Sequence, residues 1–134
     1  MNKHLGISNK SIGLFLSLIT STALLFAFYG NILNAPNKVL FATSGDGLKS
    51  TFNSYYHLQY DSTYWHTQSM NYPYGESVMY SGGQPLLINT LKLGTYLGVD
   101  LSNEMLGILN VFLLFTIVLA VMLLYLLLVN LKLP

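Results

Sequence analysis

Two uncharged apolar runs, Ser11–Leu33 and Met105–Val129, bracket a polar, tyrosine-rich stretch, and they decide most of what this chain can fold into. As helices rising ~1.5 Å per residue they extend about 34 Å and about 37 Å, against a hydrocarbon core of roughly 30 Å. All five acidic residues lie between them. Charged residues make up 8% of the 134, against roughly 25% in soluble globular proteins. The mean hydropathy is +0.49. A soluble surface built from so few charges would expose large apolar patches and associate, whereas lipid makes the same surface an ordinary one. The reading is an all-α membrane protein: two transmembrane helices joined by a large extracytoplasmic loop that carries short interfacial helices.

The residues at the ends of the runs set the topology. Lys3 and Lys10 precede the first run and Lys132 follows the second, so the positive-inside rule puts both termini in the cytoplasm. The organisation is then a cytoplasmic segment over 1–10, a first span over 11–33, an external loop over 34–104, a second span over 105–129 and a cytoplasmic end over 130–134. A secretory signal is the rival for the first run. Signal cores are about 7–15 residues long and end at small residues suited to cleavage. Here the apolar stretch continues to Leu33 with no such site behind it, so an uncleaved anchor is expected.

Composition removes several chemistries. There is no Cys, so disulfides, thiolate catalysis and zinc–sulfur sites are excluded. There is no Arg and the net charge is +1, so no basic stripe exists for nucleic acid. Neither span holds an ionisable residue, which argues against a transporter pathway. Gly13, Ser17 and Ser21 recur every four residues, a spacing that lets a second helix approach closely or is simply ordinary usage in a span. Asn110 interrupts the second span and can bond to a neighbouring helix. Both features fit a bundle larger than two helices, of which this chain would be a fragment.

Local signals divide the loop. Pro36 stops the first helix. Ser44-Gly45-Asp46-Gly47 is a turn signal. Leu48, Phe52, Tyr55, Tyr56 and Gln59 then recur at helical spacing, which predicts an aromatic-faced helix near 47–60 lying along the membrane interface. Asp61–Gly83 reads as irregular. Pro85 near the start and Gly98 just past the end predict a second helix over 86–97. Ser102 or Asn103 is the expected cap of the second span, with Glu104 in its first turn.

Asp46 is the foremost candidate for chemistry. The flanking glycines allow a sharp turn and close approach of a ligand. A carboxylate beside the membrane could take a proton from an acceptor hydroxyl or hold a divalent metal opposite a lipid phosphate. The competing role is an N-cap for the helix that follows. Lys49, one turn on, could meet a phosphate or remain solvated. Trp65, Tyr72 and Tyr74 with Glu76 form an aromatic and amide-rich stretch suited to a sugar, or equally to an interfacial belt. His57 and Asp61 share metal-compatible spacing that is more often surface electrostatics, and His66 and Glu76 add only loose support. No metal site is assigned, and a divalent cation is left open.

Three strings carry a resemblance: Ala42-Thr43-Ser44-Gly45-Asp46-Gly47-Leu48-Lys49, Met70-Asn71-Tyr72-Pro73-Tyr74-Gly75-Glu76-Ser77-Val78 and Gly82-Gly83-Gln84-Pro85-Leu86. Set between two spans, they resemble the N-terminal region of bacterial multi-pass membrane glycosyltransferases of the GT-C type, particularly those of Bacteroidetes-like bacteria. The resemblance runs from Phe41 to the end of the second span. It implies an inner-membrane enzyme with a periplasmic loop, a polyprenyl-phosphate sugar as donor, and an acid at the transfer site that matches Asp46. Better-known members often carry a paired acid there; in this chain Gly47 follows. The class has many spans, so the remaining transmembrane helices of a parent protein are expected partners and the chain alone is expected to be inactive. The alternative is a small, non-catalytic two-span protein serving as a partner or scaffold subunit.

Overall fold

The structure, a computed structural model, describes residues 9–131; the expectations resting on Lys3 and Lys132 lie outside them. The chain is mostly helical, with one very small β-ladder. Helix α1 (Asn9–Asn34) and helix α4 (Met105–Asn130) are each 26 residues, about 39 Å long. Both are long and apolar enough to cross a membrane. Between them lie α2 (Gly45–Gln59), β1 (His66–Thr67), β2 (Glu76–Ser77), a 3-10 turn (Val78–Tyr80), α3 (Pro85–Tyr96) and a second 3-10 turn (Ser102–Glu104).

Helices α1 and α4 form an antiparallel hairpin. At one end the Tyr125 hydroxyl donates to the Lys10 carbonyl (3.2 Å) and Lys10 Nζ to Asn130 Oδ1 (3.1 Å). At that end the Tyr125 hydroxyl fills the space beside Gly13, and a Cβ there would displace it. Midway, Leu25 and Ile32 of α1 bury against Leu114 of α4. At the other end Asn110 Nδ2 donates to the carbonyls of both Pro36 and Val39, each at 2.7 Å. Gly13 of the small-residue face and Asn110, both of which pointed to a larger bundle, therefore make contacts within the chain, while the Ser17 and Ser21 hydroxyls donate to carbonyls of their own helix. Asn110 does not reach across to another helix: Pro36 ends α1, and the irregular segment behind it leaves carbonyls that need a donor.

The segment after α1 folds back along it. Val39 and Phe41 pack on the Leu25–Ile32–Leu114 cluster, and the Phe41 ring stacks on Tyr29, centroids 5.4 Å apart. Tyr29 is where α1 departs from helical geometry (φ −120°, ψ 20°). The chain thus returns below the end of α1 before α2 begins.

A second core holds the intervening lobe. Leu58 of α2, Ile88 and Leu91 of α3, and Met105 and Leu109 of α4 bury together; Ile88 and Met105 are each 1% exposed, and burying side chains of this size contributes about 1.5–3 kcal/mol apiece. Helix α3 starts at Pro85, and Gly98 (φ +92°) closes it with Val99 N–H on the Gly94 carbonyl and Gly98 N–H on that of Thr95. Those two bonds satisfy carbonyls the helix end would otherwise leave open. The stretch read as irregular contains the β1–β2 ladder, antiparallel, with His66 opposite Ser77 and Thr67 opposite Glu76. Two-residue strands are too short to leave an alternating pattern. Helix α2 faces the opposite way from an ordinary amphipathic helix: Asn53, Ser54 and His57 are buried beside Leu58, while Phe52, Tyr55 and Tyr60 are exposed.

Candidate functional site

Asp46 sits in the first turn of α2, and two glycines position it for different reasons. Gly45 has φ +60°, a left-handed conformation that side chains disfavour. Gly47 packs against Ala42, where a Cβ would collide with the alanine methyl. The helix starts two residues earlier than the spacing predicts. The capping position accordingly falls to Ser44, whose side chain makes no cap bond. Asp46 is not the N-cap. Its carboxylate is exposed and favourably placed for the helix dipole, and among the described residues it has no hydrogen bond or ion pair. Lys49, three residues on, is exposed on a neighbouring position of the helix.

Each of the other four acids has a partner within the protein, though Glu104, exposed, is bonded through one oxygen alone among the described residues. Asn71 Nδ2 donates to Glu76 Oε2 at 2.9 Å, and the other Glu76 oxygen is buried without a partner. Glu104 accepts from Asn37 Nδ2. It occupies the capping position of α4 without capping it, and neither Ser102 nor Asn103 takes that role. Asp100 Oδ1 accepts from the Ser102 N–H at 2.9 Å, and the Ser102 hydroxyl and N–H hold its carboxyl below the usual range.

Asp61 is the most deeply tied. Its Oδ2 meets His57 Nδ1 at 2.8 Å and its Oδ1 accepts from the Gln68 N–H at 3.1 Å. Burial pushes its carboxyl up, but the bonds from His57, Thr67 and Gln68 outweigh that and hold it below the ordinary value. His57 Nε2 meets Asn89 Oδ1 at 3.1 Å, and Asn89 Nδ2 donates to the Tyr64 carbonyl at 2.9 Å. Lys92 Nζ donates to the carbonyls of His57 (3.1 Å) and Thr63 (2.7 Å) and lies over the Tyr64 ring. Burial pushes its pKa down, partly offset by Asp61. The network joins α2, α3 and the chain between them. Both ring nitrogens and both Asp61 oxygens are engaged, so the network ties α2 to α3. The His57/Asp61 spacing is visible in the sequence as a surface pair; the structure buries it, with side chains 2% and 5% exposed. Asn89 and Lys92, one turn apart on α3, were the missing signal: two polar residues on the face that must meet α2.

The aromatic candidates do not converge on Asp46. Trp65 borders a groove of about 430 Å³ with Tyr64, Met79, Pro85, Leu86 and Asn89. Tyr72 and Tyr74 stand at the hairpin tip, 86% and 85% exposed, and are not among its walls. Glu76 braces that tip through Asn71. His66 Nε2 donates to the Tyr74 carbonyl at 3.0 Å. Among the described residues no three His, Asp or Glu side chains gather as a metal site. No protein-family model, curated protein or solved structure matches the chain.

Proposed function

We propose that this chain is the N-terminal module of a bacterial inner-membrane, GT-C-like glycosyltransferase, with α1 and α4 as spans and the α2–α3 lobe on the periplasmic side. The donor would be a sugar on a polyprenyl phosphate, and turnover would require the further membrane helices of the parent protein. The observation that carries the reading is the state of Asp46. Of the five acids it alone has no partner among the described residues, and it lies just beyond a segment packed against the first span. A partnerless carboxylate there suits a general base: it takes the proton of an acceptor hydroxyl as the oxygen attacks the anomeric carbon and the lipid phosphate departs. Holding a divalent cation against that phosphate is the other use of the same group. Lys49 is placed to meet the phosphate as a point charge. A sugar would meet Trp65 in its groove, whereas Tyr72, Tyr74 and Glu76 lie at the hairpin tip, apart from that groove.

The test is Asp46→Asn in the full-length parent in native membranes, with transfer of labelled sugar as the readout. Loss of about 10²-fold or more is expected for a general base; transfer at the parental rate removes Asp46 from the mechanism. A second reading, a non-catalytic two-span partner subunit, is favoured by the closure of Gly13 and Asn110 within the chain. It predicts that the purified chain is stable and ordered in detergent and co-purifies with one separate membrane protein.

A further inference from the structure

A groove runs down α4 from the foot of the lobe. Its floor is a single helical stripe, Glu104, Gly107, Ile108, Val111, Phe112 and Phe115, spaced i, i+3, i+4, i+7, i+8 and i+11 and so about 16 Å long. The turn after α1, through Pro36 and Asn37, makes one wall and Leu87 of α3 the other; the groove is shallow and open, with a volume of about 460 Å³. Polarity is confined to one end. Asn37 builds that end with both halves of its amide: Nδ2 donates to Glu104, and Oδ1 accepts from the Gly107 N–H. A Cβ at Gly107 would strike the Asn37 side chain and force it to shift from these bonds. Below this mouth every wall is apolar, and Val111 and Phe115 remain 49% and 59% exposed.

We propose that this groove binds one amine-headed phospholipid, an acyl chain lying on the α4 stripe and the ammonium on Glu104. The inference rests on the membrane-spanning part of the reading above and not on its chemistry. An apolar trough with one charged end fits an amphiphile and leaves a sugar no hydrogen-bonding partners. The sign of the charge selects the head. A carboxylate at the mouth repels anionic headgroups. It bonds a primary ammonium, which has N–H donors, better than a quaternary one, which has none. The same argument makes the groove a poor seat for a lipid phosphate donor, so it is separate from the Asp46 site.

The experiment reconstitutes the full chain in equimolar phosphatidylethanolamine, phosphatidylcholine and phosphatidylglycerol, re-extracts it in mild detergent, and counts retained lipid by native mass spectrometry. The wild type should keep one phosphatidylethanolamine, enriched about five-fold or more over the others, a modest charge-assisted preference. Glu104→Gln should erase the preference. Val111→Trp should fill the groove and lower retention of all three, with helicity unchanged by circular dichroism; if that variant misfolds, Glu104→Gln, an exposed change, still decides. Retention in bulk proportions by the wild type, or an undiminished preference in Glu104→Gln, overturns the proposal, as does a lipid-free dimer that gives the groove to a second copy. Carbonate washing of membranes separates the two readings. A chain that washes off loses its membrane assignment, whereas one that resists but shows no lipid preference loses only this site.

Discussion

Asp46 lies between Gly45, at a positive φ, and Gly47, packed against Ala42, and its side chain is exposed. A side chain with no partner contributes little to folding, so Asp46→Asn is expected to change the unfolding free energy by less than about 0.5 kcal/mol. Thermal melts in detergent check this; a large destabilisation would mean the residue acts in the fold. Asn110 behaves oppositely. Its amide serves two carbonyls more than seventy positions away, and Asn110→Leu strands both, at a cost of about 1–3 kcal/mol in the same melts. The residue stands out in the sequence as a polar break in an apolar run. Its acceptors do not, because every residue has a carbonyl and only the fold reveals which ones lack a donor.

Element boundaries were legible where backbone chemistry forces them. Pro36 ends α1, Pro85 opens α3, and Gly98 closes it, each for a local reason that composition displays. The orientation of α2 was legible only by half. Helical spacing finds an aromatic face through Phe52, Tyr55 and Tyr56; in the structure the rings of Phe52, Tyr56 and Tyr60 follow one another at 6.0 and 5.1 Å. It does not reveal that the opposite, polar face is the one buried, because that depends on partners elsewhere: the Ser81 carbonyl for Asn53 and Asn89 for His57. The α2–α3 tie should therefore depend on pH. Asp61 is depressed in the folded protein, so between the usual carboxylate value, roughly 4, and its lower folded value the unfolded chain binds more protons. Stability is then full above that window and falls as pH drops through it. Asp61→Asn should flatten this acid limb in melts monitored at successive pH values. An unchanged limb would remove Asp61 as its source.

At the scale of the molecule, the two long helices bury each other along one seam and leave most of their surface uncovered. Of the windows within Lys10–Asn34 and Ser102–Asn130, only 11% and 6% are buried inside the protein. In water that much exposed Leu, Phe and Val would drive association; in a bilayer it is the surface each span requires. The sequence made this extent of apolar surface plain, while the lobe's internal ties, built from scattered polar residues, stayed hidden. The absence of cysteine gives a clean way to test the arrangement, with single cysteines at Tyr72, Leu119 and Asn130 and a membrane-impermeant maleimide on spheroplasts. Leu119 is 41% exposed in the protein alone, so only lipid should shield it. Spanning with the proposed topology predicts that Tyr72→Cys labels in intact spheroplasts, Asn130→Cys only after lysis, and Leu119→Cys only in detergent. Labelling of Leu119→Cys in intact spheroplasts as fast as Tyr72→Cys would contradict it.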